Sequence, residues 1–152
     1  MKEQLLETWQ IHNRVILWVL EAIPDEALTA AGLKGRSVCA QFGHTHDVRL
    51  MWLKSAAPDL LDGLEKLDKE STGDKGALRA ALDASGGGVL KLLDRAFDEG
   101  RVKGFKPHPV AFLGYLIAHE QFHQGDIGVR LTELGHPLSK KVDFGRWEWG
   151  TR

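Results

Sequence analysis

The chain has 152 residues, enough for one domain with a core of its own. Its 20 Lys and Arg against 21 Asp and Glu leave a net charge of −1, which gives no electrostatic basis for binding nucleic acid or a membrane surface. The single cysteine, Cys39, excludes an internal disulfide framework and a thiolate zinc site, and a polar start with no apolar run of spanning length makes a soluble cytoplasmic protein the expectation.

Leu5, Trp9, His12, Ile16, Val19 and Ile23 recur at spacings of three and four, predicting a first helix from about Lys2 to Ile23 that Pro24 ends. Residues 24–36 read as a connection containing Gly32 and Gly35. Ser37 is the expected N-cap of a second helix, which carries Phe42, Val48, Met51 and Trp52 and stops near Ala56, before Pro58. Residues 57–73 read as a longer polar connection, with Asp74 capping a third helix. Leu78, Leu82, Ser85, Val89, Leu92 and Ala96 form that helix's seam, the pattern of packing at a shallow angle on a neighbour. Gly86-Gly87-Gly88 falls inside it and reads as a close backbone approach in preference to a helix break. Gly100 to His108 is a turn-rich link, and Pro109 suits the first position of a fourth helix that runs to Leu134. Gly135 and Pro137 then stop it, leaving a tail with Trp147 and Trp149. Four helices and no convincing strand predict an all-α, four-helix bundle as a single domain over residues 1–152, the 57–73 segment being long enough for a crossover connection.

The chemistry concentrates in histidines. His119 and His123 stand four apart in the fourth helix, so their side chains share one face and can converge on one metal ion. His44, in the apolar run Val38–His44 of the second helix, is the third candidate. Three imidazoles from two facing helices leave an open coordination position, the arrangement of catalytic zinc. Any one histidine at an apolar helix position is also readable as a hydrogen-bonded core residue. The pair is harder to read that way, because two imidazoles buried on one face are costly without a common partner. His46 points to roughly the opposite side of its helix, toward solvent or a helix interface. His12 faces the first helix's seam, and His108 and His136 sit at helix ends, where capping roles suffice. Asp47 and Asp126, each three residues after a candidate ligand, are placed to accept from a ligand's distal N–H, and Asp126 is also a possible direct ligand. Arg130 is placed to neutralise Asp126 or to hold an anionic substrate group.

His119-Glu-Gln-Phe-His123 also fits the short H-E-x-x-H protease motif, with Glu120 as general base. The extended pattern fails, because Asp126 and Val129 occupy its glycine and third-histidine positions. With no strand to hold an extended peptide, the protease reading is set aside.

Taken together, Phe42-Gly-His44-Thr-His-Asp-Val-Arg-Leu-Met-Trp52, Ala118-His119-Glu-Gln-Phe-His123-Gln-Gly125-Asp-Ile127 and the Trp147-Glu-Trp149 ending resemble the DinB/YfiT-like family of metalloenzymes, helix by helix over nearly the whole chain. The resemblance implies a four-helix bundle of unusual topology, often dimeric. It implies a divalent metal on His44, His119 and His123, with water or substrate completing the shell. It further implies transfer or isomerisation with a low-molecular-weight thiol such as bacillithiol or mycothiol as partner. Asp126 stands where relatives often carry glutamine, which alters the charge near the metal.

The leading expectation is therefore a metal-dependent, thiol-dependent S-transferase acting on a small molecule, with Glu120 or Asp126 accepting the released proton. Its rivals are a non-catalytic metal-binding stress-response bundle and a metal-dependent hydrolase. Zinc is the first choice of metal, with nickel, copper, iron or manganese as alternatives set by availability. A homodimer is expected, with the tryptophan tail near its interface. No nucleic acid or membrane partner is expected.

Overall fold

The computed structural model describes residues 1–31 and 34–152; Gly32 of the first connection lies outside them. Among the described residues the chain is all-helical. Four long helices, α1 (Lys2–Ala22), α3 (Val38–Ala56), α5 (Lys75–Glu99) and α6 (Pro109–Glu133), match the four read from periodicity. Their ends follow the expected chemistry. Ser37 Oγ accepts the Ala40 N–H at 3.3 Å and Asp74 accepts the Ala77 N–H at 3.2 Å. His108 Nδ1 accepts the Ala111 N–H at 3.2 Å, which makes it the N-cap of α6. Gly100, at φ 70°, supplies the left-handed residue that closes α5.

Three short helices occupy segments that read as connections or tail: α2 (Asp25–Thr29), α4 (Lys69–Gly73) and α7 (Lys140–Gly145). Each has only five or six residues, too few to display a 3.6-residue repeat. Asp68 caps α4 through the Ser71 N–H at 2.7 Å, and Ser139 caps α7 through the Val142 N–H at 3.3 Å. No helix among the described residues is long and apolar enough to cross a membrane.

The apolar interior falls into two clusters. One gathers Ile16, Leu20, Leu28, Phe42, Leu78, Leu82, Ile127 and Leu131. The other gathers Trp9, Leu53, Val89, Leu93, Phe112 and Leu116. Along every long helix the residues between these clusters are polar and buried: His12 and Asn13 on α1, Thr45, His46 and Arg49 on α3, Ser85 on α5 and Glu120 on α6. A polar layer therefore divides the core. This also moves the buried face of α3. Phe42 is fully buried as expected, but Met51 is 52% exposed, because Thr45 and Arg49 take the interior positions.

The glycine triplet is a close approach, and α5 runs through it without a break. A Cβ at Gly86 would stand 2.6 Å from the Asn13 amide, whereas one at Gly87 would meet nothing within 4 Å. Gly86 also accepts the Trp9 indole N–H at 2.9 Å. Gly86→Ala is thus expected to destabilise by about 1–3 kcal/mol through overpacking. Gly87→Ala is expected to stabilise by about 0.5–1 kcal/mol through helix propensity alone. Paired denaturant melts check the opposite signs.

The tail folds back on α1. Gly145 lies so close to the Trp18 ring that a Cβ there would collide with it, and the Arg152 guanidinium stacks over the same ring at 3.8 Å. Arg14 Nη2 donates to the Arg152 carbonyl at 2.9 Å. Phe144 and Trp147 face outward, 66% and 74% exposed.

Candidate metal centre

The i, i+4 spacing on α6 puts His119 and His123 on one face, and α3 packs against α6 so that His44 joins them. The His44 ring lies 4.7 Å from that of His123 and 5.7 Å from that of His119, centroid to centroid. One nitrogen from each of the three lies within 4.8 Å of the others. His119 Nε2 and His123 Nε2 approach to 3.3 Å.

A relay fixes how His123 presents itself. The Lys34 carbonyl accepts from Arg130 Nη1 at 2.8 Å, and Arg130 Nε donates to Asp126 at 2.6 Å. Asp126, an acceptor only, takes an N–H of the Gln41 side-chain amide in a short contact. That orients the amide oxygen of Gln41 toward His123, whose Nδ1–H donates to it at 2.7 Å. The Nε2 lone pair of His123 is thereby turned to the space shared with His44 and His119. Asp126 thus reaches the site through Gln41 and is not in contact with an imidazole N–H, as its spacing had suggested. Its pairing with Arg130 is the one expected.

Burial and neighbouring charges favour the neutral, cation-binding form of His44 and His123. Burial pushes His44 below the ordinary histidine range, and the charges of Arg36 and His119 add to this against an upward pull from Asp47. Burial likewise lowers His123, helped by His44, His119 and Arg36. The three rings bring their nitrogens together, and His119 Nδ1 is buried with no hydrogen-bond partner among the described residues. The donor set, three imidazole nitrogens from two helices, fits a divalent metal.

The other expected residues lie elsewhere. Asp47 faces Lys66 at 3.6 Å and not His44. His46 is buried at an interface, its Nε2–H donating to the Glu65 carbonyl at 2.8 Å. Glu120 lies in the core. It is 1% exposed and both its oxygens are engaged: Arg49 Nε and Nη2 donate to them at 2.7 and 2.8 Å, and His12 Nε2–H donates at 2.8 Å. Arg49 Nη1 also reaches Asn13 Oδ1 and the Leu82 carbonyl, both at 2.8 Å, so one guanidinium ties α1, α5 and α6 to α3. Burial raises the Glu120 carboxyl, but the charge and hydrogen bonds of Arg49, with those of His12, outweigh it and hold it at about 2. A carboxylate so committed is a poor proton acceptor for chemistry at the histidines.

Sequence reasoning passed over Gln41, Arg36 and Arg49. Gln41 carried a usable signal, standing three residues before His44 and so on its face of α3.

Neither the curated proteins nor the solved structures contain a match to this chain. The DinB family profile, however, matches residues 1–151, and this, with an all-helical fold that gathers His44, His119 and His123, places the chain in the DinB family.

Proposed function

We propose that this protein is a metal-dependent enzyme of the thiol-dependent S-transferase type, with a divalent metal, zinc foremost, held by His44, His119 and His123. The observation that carries this reading is a three-nitrogen cluster that is only partly buried, His44 and His119 being half-buried while His123 is anchored through Gln41. Structural sites close their shell with protein ligands, whereas three ligands and an open side suit a reacting molecule. When bound, the metal supplies Lewis acidity, which lowers the pKa of a thiol or water it holds. The chain does the rest. Gln41 fixes the His123 tautomer, and Asp126 with Arg130 fixes Gln41. Of the two carboxylates expected to take up a proton, Glu120 ties helices together in the core. Asp126 balances charge through Gln41, and the proton leaves by the open side. The four long helices form the family's four-helix bundle, with residues 57–73 as its crossover connection.

The test is a screen of low-molecular-weight thiols against small electrophiles. Thiol consumption that needs both the protein and its metal is the expected result. Water-dependent turnover without thiol would support the hydrolase instead. Chelation is expected to abolish turnover while leaving helicity and the melting transition nearly intact, since two apolar clusters and the Arg49 layer hold the fold without the metal. Collapse of the fold on chelation would favour the structural-metal alternative.

The same reading includes a homodimer through the face bearing Phe144 and Trp147, two large apolar side chains left outward by a tail whose other contacts are made to α1. Sedimentation at micromolar concentration is expected to show a dimer that Trp147→Glu dissociates. A monomeric wild type would reject it.

A further inference from the structure

Beside the histidine cluster runs a groove of about 530 Å3, between α3 and the chain that follows it. That volume is in the range of small-molecule sites. His44 stands at one end. Val48 and Met51 of α3 make an apolar floor, Leu61 and Leu64 the facing wall, and Lys54 and Lys66 supply the cations of the rim. The outer wall is fixed in place. His46 holds the Glu65 carbonyl at 2.8 Å, Arg95 holds Asp59 through two hydrogen bonds at 2.9 and 2.7 Å, and Leu64 packs against the α5 backbone at Gly88. Met51, 52% exposed, is therefore part of the floor of an open groove, and the polar layer of the core is what turns it out there.

The two lysines differ. Lys66 faces Asp47 at 3.6 Å, but Lys54 has no carboxylate within ion-pair distance among the described residues. From His44 to Lys54 is ten residues of α3, a rise of about 15 Å. An apolar floor with a metal-ligand histidine at one end and an unpaired cation at the other is complementary to one kind of molecule.

We propose that the groove binds an elongated small molecule with an apolar body and a terminal carboxylate, its carboxylate at Lys54 and its reacting end at His44. This names the substrate class of the site above and rests on that reading only for what happens at the His44 end.

Octanoate, octanol and octylamine are the probes, titrated against metal-loaded and metal-stripped protein. The chain has two methionines, Met1 and Met51, so methyl labelling gives one resonance inside the groove and one outside it. Octanoate is expected to shift the Met51 methyl and not that of Met1. It is expected to bind about fivefold more tightly than octanol, the scale of an exposed ion pair, and octylamine more weakly than either. Lys54→Gln is expected to erase the preference for octanoate while leaving octanol binding unchanged, in both metal states. Met51→Glu, at an already exposed position, is expected to weaken octanoate and octanol together. Equal affinity for octanoate and octanol overturns the proposal, as does a Met51 methyl that no probe moves. So does octanoate binding that disappears with the metal and ignores Lys54→Gln, since the carboxylate would then sit on the metal. The expected binding pattern without thiol turnover would leave the groove standing and reject only the S-transferase.

Discussion

Replacing Arg49 with methionine is expected to destabilise the protein by about 3–5 kcal/mol, the cost of leaving a partner charge buried without compensation. The partner is Glu120, 1% exposed and dependent on Arg49 for two of its three hydrogen bonds. Arg49→Met also strands Asn13 Oδ1 and the Leu82 carbonyl. The double replacement Arg49→Met with Glu120→Met is expected to recover much of the loss, because apolar side chains of similar volume avoid the desolvation of both ions. The pH dependence has a definite sign. The Glu120 carboxyl is depressed from an ordinary 4.5 to about 2 in the folded protein, so its contribution is present above pH 4.5 and is lost as pH falls toward 2. Without Arg49 that carboxyl would instead bind a proton readily in the folded state. The stability gap between wild type and Arg49→Met should therefore narrow through the same acid range. Urea midpoints at neutral and acid pH check both statements, and a gap that widens on acidification would reject the ion pair as the source.

Alanine at His44, His119 or His123 is expected to reduce metal affinity by more than about a hundredfold, since each removes one of three donor nitrogens. Gln41→Leu is expected to cost about 10–100-fold, because it leaves the ligands in place but frees the His123 ring and uncouples Asp126. Elemental analysis and competition against a chelator separate the two classes. Full occupancy in His44→Ala would remove α3 from the site. An unchanged affinity in Gln41→Leu would leave the relay without influence on the metal.

The spacing of His119 and His123, the Ser37 and Asp74 caps and the α5 seam were all legible in the sequence, because each is a local pattern within one helix. His44 was legible as the third candidate from its apolar helical run, and the family motifs included it. What periodicity concealed was cross-helix. Arg49 drew no reading at all, since no pattern on α3 announces a carboxylate 71 residues away. Glu120 shares a motif with two metal-ligating candidates, yet one residue along a helix turns a side chain by about 100°, enough to face a different neighbour. The short H-E-x-x-H match carries no information on that direction. Gln41 lay in view on the correct face, but its acceptor, Asp126, is 85 residues on and only the fold brings them together.

The Arg49 layer bears on how the chain reaches its fold. Arg49 stands on α3 and its partners come from the other three long helices, at separations of 33 to 71 residues. Any partial assembly that buries Arg49 with two helices leaves donors unsatisfied in a low-dielectric interior, so such species are raised in energy and thinly populated. Docking of the last helix satisfies the guanidinium and Glu120 at one step. The layer thereby couples the two apolar clusters, which could otherwise open separately, into one cooperative unit. Amide protons deep in α1, α3, α5 and α6 should exchange with a common opening free energy, while α2, α4 and α7, which contribute nothing to the layer, exchange by cheaper local openings.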